Sequence, residues 1–307
     1  MRTLHSGAFK LSVAWTLLLL FLGSVVHATG SSLACPDWPT CFGTMMPEMK
    51  GGVFWEHLHR LVAGGLVLLW GLATWLAYRE TYRERRWVFR AALVGIGLLL
   101  IQSLFGGLTV IFRLPDLIST THLGLALLFL SLATVLASAT SRYEAGAPTP
   151  DASRARAGAG LVAGLVFVQS VLGGLVRHMD AGMACPDVPL CLGKLVPPLE
   201  NRLIAIHFLH RALGAAVTLA VIGLAWWAAR AEVPPPIRSW SVWAGVLALI
   251  QLTLGVVSVL TGLAVVPVSL HTLIAASLLA TLVHIAFVAS SAVPARQSPR
   301  TSAASPV

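Results

Sequence analysis

Ten histidines occur in this 307-residue chain, and four of them are spaced like two pairs of metal ligands. His59 precedes Arg60 and His210 precedes Arg211, while His122 and His271 stand inside long apolar runs. A buried imidazole in such a run is costly, so it marks either a functional site or a hydrogen-bonded packing contact. Two imidazoles level with one another on neighbouring helices can occupy both axial positions of a haem iron. Zinc is the competing metal, but each pair lacks a third or fourth converging ligand. His284 follows His271 by thirteen residues, about 220° round a helix, and is read as packing or interface.

A second set of residues could do redox or acid–base work. Residues 33–41 read LACPDWPTC and residues 183–191 read MACPDVPLC, so Cys35 and Cys41 recur as Cys185 and Cys191 at an offset of 150. EHLHR at 56–60 recurs as HFLHR at 207–211; Gln102 and His122 recur as Gln251 and His271. The chain therefore reads as two copies of one half. Within that repeat His57 aligns with Phe208, so His59 carries the shared role. Glu56 lies three residues before His59, on the same helix face, and its repeat partner is His207. A carboxylate in one half and an imidazole in the other suggests that one half does chemistry while the other carries electrons. Glu56 could accept a proton or stabilise positive charge on an oxidised carbon, or pair with Arg60. Arg60 and Arg211 could bind haem propionates or reach for headgroups and loop carbonyls.

Pro36, Asp37 and Pro39 favour turns that bring each cysteine pair together. Disulfides Cys35–Cys41 and Cys185–Cys191 are expected on the oxidising face of a membrane. Metal binding by either pair is weakly supported, because two thiolates per loop are too few. A haem thioether needs Cys-x-x-Cys-His, which neither pair provides.

The elements that position these groups follow from composition. Hydrophobic residues make up 57% of the chain and charged residues 11%, with a mean hydropathy of +0.82. An ordinary soluble domain carries about 25% charged residues, so a soluble domain, a disordered chain and a coiled coil are all excluded. Eight runs reach the roughly 20 apolar residues that a spanning helix needs: Leu11–Ala28, Val53–Tyr78, Ala91–Phe112, Leu117–Ser138, Gly158–Val176, Leu203–Ala229, Trp240–Gly262 and Val268–Ala292. The first could be a signal peptide, but GSVVHATG before the first CPD parallels GGLVRHMD before the second, so it is retained. Of 21 Lys and Arg, 14 fall on one side of this arrangement, which places both termini in the cytoplasm. The net charge of +9 is thus a topology signal, with no nucleic-acid partner implied. His59 and His122 lie about six and five residues into parallel spans, both roughly 8–9 Å below the outer boundary.

The expected architecture is an all-α membrane protein of eight transmembrane helices in two tandem four-helix bundles, related by a parallel internal repeat. The bundles are residues 1–145 and 158–307, joined by a cytoplasmic linker at 146–157 rich in Pro, Ala and Gly. Two identical haem sites would suit a di-haem b cytochrome that exchanges electrons with quinone; Glu56 and the unequal halves distinguish the alternative below. A transporter would show broken helices and midplane polar sites.

At CPDWPTC, Glu56-x-x-His59-Arg60, His122, CPDVPLC, His210-Arg211 and His271, the sequence resembles the haem A synthase family, in its cysteine-containing bacterial branch. The resemblance covers nearly the whole chain. It implies a multi-pass enzyme of the bacterial inner membrane that oxidises a methyl substituent of haem O to the formyl group of haem A by successive hydroxylations, for terminal oxidases. It further implies that His59 and His122 serve the substrate haem, that His210 and His271 ligate a haem b cofactor, and that Glu56 is catalytic. The Cys35/Cys41 loop would assist haem delivery or redox steps. Membrane lipid, haem O delivered by haem O synthase, and a membrane electron acceptor such as quinone are the implied partners, and a homo-oligomer is compatible. Members often carry an arginine where this chain has His27; the second half keeps Arg177, a further propionate candidate.

Overall fold

A computed structural model describes residues 4–141 and 149–291. Eight long helices run in order: α1 Leu4–Ala28, α2 Gly51–Thr81, α3 Arg86–Ile111, α4 Asp116–Thr140, α5 Ala152–His178, α6 Arg202–Arg230, α7 Pro235–Leu260 and α8 Val265–Ser291. A single 3-10 turn at Ala181–Met183 follows α5. All eight are long and apolar enough to cross a membrane, and no strand occurs among the described residues. The protein is a multi-pass, all-helical membrane protein.

The helices outrun the apolar runs that predicted them. The first begins at Leu4 rather than Leu11, and the fifth at Ala152 rather than Gly158. Hydrophobicity marks only the lipid-facing stretch, whereas backbone hydrogen bonding continues beyond it, at the fifth helix through the good helix formers Ala and Arg of 152–157. Residues 146–148 of the expected linker lie outside the described residues, as does Ala292 at the end of the last expected span.

Side chains are polar at neither face in any sustained stripe, so packing rather than amphipathicity sets the neighbours. Helix α1 packs on α2 and α4, and α3 on α2 and α4; α5 packs on α6 and α8, and α7 on α6 and α8. Helices α1, α4, α5 and α8 meet at the centre. One buried cluster joins Leu20, Leu127 and Leu130 to residues of α5 to α8. A second is centred on Trp70, whose ring lies across Gly95 and whose Nε1 donates to the Ala92 carbonyl at 2.9 Å. Tight turns follow α3 and α7, each closed by a residue with φ above +50°: Leu114 N donates to Thr109 O, and Leu263 N to Ser258 O, both at 2.7 Å. These short turns put His122 and His271 early in the helices that follow.

His284 bridges helices: its Nδ1 lies 2.8 Å from the Ser138 hydroxyl of α4, and its ring stacks edge-on to Trp240 at 5.1 Å.

Candidate active site

Each of the four histidines rests against a glycine of the preceding helix. A Cβ on Gly23 of α1 would lie 3.2 Å from His59, and one on Gly106 of α3 would lie 3.1 Å from His122. In the other half the pairs are Gly173 with His210, at 2.7 Å, and Gly255 with His271, at 3.1 Å. These glycines are needed for close approach, not for backbone conformation. The sequence reading missed them, although they recur at offsets of 150 and 149, within one residue of those of the histidines, and could have been found that way.

Polar partners orient the rings. His122 Nδ1 lies 3.1 Å from the Gln102 carbonyl, and His271 Nδ1 lies 3.1 Å from the Gln251 carbonyl. In both, the Nδ1 proton is donated to the carbonyl, which leaves the lone pair on Nε2. The glutamine amides then cap that lone pair, at 3.4 Å for Gln102 and 3.1 Å for Gln251. A metal bound at Nε2 would displace the amide. His210 is held by Gln169, whose Nε2 lies 2.9 Å from its Nδ1 and 2.8 Å from its carbonyl oxygen. The matching position in the first half is Leu19. His59 Nδ1 accordingly is buried with no hydrogen-bond partner. The two sites thus differ in more than Glu56.

Glu56 does not stand alone beside His59. Its Oε2 accepts from the backbone N–H of Cys35 at 2.8 Å, and its Oε1 pairs with Arg60 Nη2 at 2.5 Å. Arg60 Nη1 donates to the carbonyls of Asp37 at 2.8 Å and Thr40 at 2.5 Å. In the second half His207 takes the same place: Cys185 N–H lies 3.3 Å from its Nδ1, and Arg211 Nε lies 3.1 Å from its Nε2. Arg211 donates to the carbonyls of Asp187, Leu190 and Cys185. Both arginines therefore fasten the cysteine loops, with most of their donors spent on loop carbonyls. Arg177 instead reaches α1, donating to the Ser24 hydroxyl and carbonyl at 2.7 Å each. Ser24 also bonds Thr272, the neighbour of His271, at 3.1 Å. His27 packs edge-on against His178, ring centroids 5.0 Å apart.

Both expected disulfides are formed, Cys35–Cys41 and Cys185–Cys191. Each loop is built round an aspartate. Asp37 accepts from the backbone N–H of Phe42 at 2.6 Å and of Gly43 at 2.9 Å, and from the Thr40 hydroxyl. Asp187 accepts from Leu192 and Gly193, both at 2.7 Å. Gly43 and Gly193 adopt φ of +73° and +72°, which favours glycine. The Thr40 hydroxyl and then the Gly43 amide hold the Asp37 carboxyl below its ordinary value. The Gly193 amide does the same for Asp187. In the first loop Trp38 lies over Gly107 of α3, where an added Cβ would come within 2.8 Å of the ring.

The donor set suits a haem in each half: two half-buried imidazoles, each against a glycine of the preceding helix. Glu56, three residues from His59, meets the first cysteine loop at the Cys35 amide, and His207, three residues from His210, meets the second at the Cys185 amide.

The sequence pattern of the COX15-CtaA cytochrome oxidase assembly proteins matches residues 9–283. The chain is 31% identical to a haem A synthase of Halalkalibacterium halodurans, over 89% of this chain and 93% of that protein. It is 32% identical to a haem A synthase of Symbiobacterium thermophilum, over 85% and 87% respectively. A third, from Shouchella clausii, is 32% identical over 73% of this chain and 77% of the relative. With the pattern matched from the first helix to the last, the chain belongs to the COX15-CtaA family of cytochrome oxidase assembly proteins.

Proposed function

We propose that this protein is itself a haem A synthase, oxidising the methyl substituent of haem O to the formyl group of haem A. The observation that carries this reading is the unequal anchoring of two otherwise matching cysteine loops. In the second half an imidazole, His207, accepts the loop amide and meets the arginine. Anchoring therefore does not require a carboxylate. Glu56 supplies something further, a negative charge and a proton acceptor one helical turn from His59.

The roles divide by half. His59 and His122 hold the substrate haem, and Gly23 and Gly106 leave room for their rings. The Gln102 amide swings off Nε2 when the site fills. His210 and His271 hold haem b, which when bound supplies a one-electron carrier. Glu56 takes at Oε1 the proton released from the oxidised methyl carbon, while Arg60 stays held by the carbonyls of Asp37 and Thr40. With haem b bound, the second half would supply a one-electron relay between the substrate site and a membrane acceptor such as quinone. The two bundles derive from the tandem repeat, both termini face the cytoplasm, and the cysteine loops face outward from the bacterial inner membrane. Haem O arrives from haem O synthase.

Replacement by the repeat's own residue tests this. Glu56→His retains an acceptor for Cys35 N–H, so the loop and its disulfide should persist. Haem A formation should fall about 10²-fold or more, the scale of a lost positioned acid–base group. Haem O is supplied in cells and the extracted haems are resolved by chromatography. Haem A at the wild-type level in Glu56→His would reduce Glu56 to a loop anchor.

A further inference from the structure

His57 has no role in the reading above, yet it is among the most buried side chains of the first half, 2% exposed. One of its ring nitrogens and the sulfurs of Cys35 and Cys41 all lie within 4.8 Å of one another. Its Nε2 lies 3.0 Å from the Met45 carbonyl. That nitrogen donates its proton, so the lone pair resides on Nδ1. Nδ1 is buried and has no hydrogen-bond partner. A ring that donates one N–H to a backbone carbonyl and leaves the other nitrogen bare is oriented as metal-binding histidines are. Two thiolates alone were too few for a metal; the fold adds the third ligand.

The second loop is the internal control. It repeats the disulfide, the aspartate-centred turn and the arginine contacts, but Phe208 stands where His57 does. The loop fold therefore does not need the imidazole. The two loops also diverge just beyond the second cysteine. Met45, Met46 and Met49 in the first become Leu195, Val196 and Leu199 in the second. Three of the six methionines of the chain thus crowd into one short segment. They are exposed, Met46 at 80% and Met45 at 57%. Thioethers and thiolates are soft ligands that select monovalent copper over harder cations, and a site of three ligands closed to water suits it better than zinc, which takes four.

We propose that, once its disulfide is reduced, the first loop binds one monovalent copper ion through Cys35, Cys41 and His57, with the exposed Met45, Met46 and Met49 as the entry path. The reductant is a dithiol. It gives two electrons and two protons to the Cys35–Cys41 bond and becomes a disulfide itself. Copper binding then releases the two thiol protons, and no electron moves in that step. The disulfide form has no thiolates to offer, so oxidation expels the metal. The loop is in this sense a redox-gated copper site, independent of the haem chemistry proposed above.

The test uses full-length protein in detergent. Protein is reduced anaerobically, freed of reductant and equilibrated with cuprous ion against a coloured cuprous chelator, and retained copper is counted by elemental analysis. Wild type should retain one copper per chain when reduced and none when oxidised. His57→Phe, which installs the second loop's residue, should bind about tenfold more weakly or worse, since losing even an outer-sphere partner costs that much. Cys185→Ser with Cys191→Ser should retain wild-type copper. Replacing Met45, Met46 and Met49 with Leu, Val and Leu should slow loading and leave the end point unchanged. Helical circular dichroism checks each fold, and if His57→Phe unfolds, the second-loop variant decides. No copper on reduced wild type, equal affinity in folded His57→Phe, or copper lost with Cys185 and Cys191 would each overturn the proposal. Because copper is counted directly, failure here leaves the haem A synthase reading untouched.

Discussion

Adding one methyl group to the glycine behind each histidine should rank the four positions, with Gly173 the most sensitive. A Cβ at Gly173 would sit 2.7 Å from the His210 ring, against 3.2 Å for Gly23 and His59. Carbon atoms pack best at about 3.5–4.0 Å. Gly173→Ala therefore requires His210 to retreat by about 1 Å, while Gly23→Ala asks for only a few tenths. His210 is poorly placed to retreat, because Gln169 grips both its Nδ1 and its carbonyl. Overpacking a tight site costs about 1–3 kcal/mol, which is about 5- to 150-fold in haem affinity. Gly173→Ala should fall in that range, and Gly23→Ala should lie at or below its lower end. The assay is titration of haem-depleted protein with haem b, following the bis-imidazole absorption bands. Unchanged second-site affinity in Gly173→Ala, or a larger loss in Gly23→Ala, would refute the premise that the glycines set how closely the ligands approach.

Gln169→Leu, the residue type of Leu19 in the first half, should leave His210 Nδ1 without a partner and weaken second-site haem binding about tenfold, in the same titration. Cys185→Ser should lower folded yield, since a disulfide closing so short a loop contributes about 2 kcal/mol through the unfolded chain; wild-type thermal stability would contradict it. Asp37 has a folded pKa below its ordinary value of 3.8, so its stabilisation of the first loop is present in full above 3.8 and is lost as pH falls below it. Hydrogen exchange at Phe42 and Gly43 should therefore hold steady from neutral pH to about 4, once corrected for intrinsic rates, and rise below it. Asp37→Asn should abolish that pH dependence, and an unchanged profile in the variant would assign it elsewhere.

Much of the architecture was legible in residue order alone. Eight apolar runs are eight helices, because lipid leaves the backbone no other way to satisfy its polar groups. Offsets of 149 to 151 across the cysteine loops, the glutamines and the histidines singled out His59, His122, His210, His271 and Glu56 as candidates before any packing was known. Both disulfides followed from their loops, since proline and aspartate turns bring the two cysteines of each loop together.

Other features depend on which surfaces meet, and order along the chain does not encode that. In sequence, Arg60 and Arg211 read as propionate partners or as reaching for headgroups and loop carbonyls; in the fold the loops lie over α2 and α6 and take guanidinium donors for their carbonyls. Pairing of Glu56 with Arg60 was open in sequence, but only the folded loop brings the Cys35 amide onto it. The glycine behind each histidine comes from a different helix, so its purpose is visible only when two helices lie side by side. His57 illustrates the limit best. The repeat excluded it from the shared role, but adjacency across a loop put it beside two sulfurs. A repeat reports what two halves have in common, whereas the tertiary contacts decide what each half does with the residues it does not share.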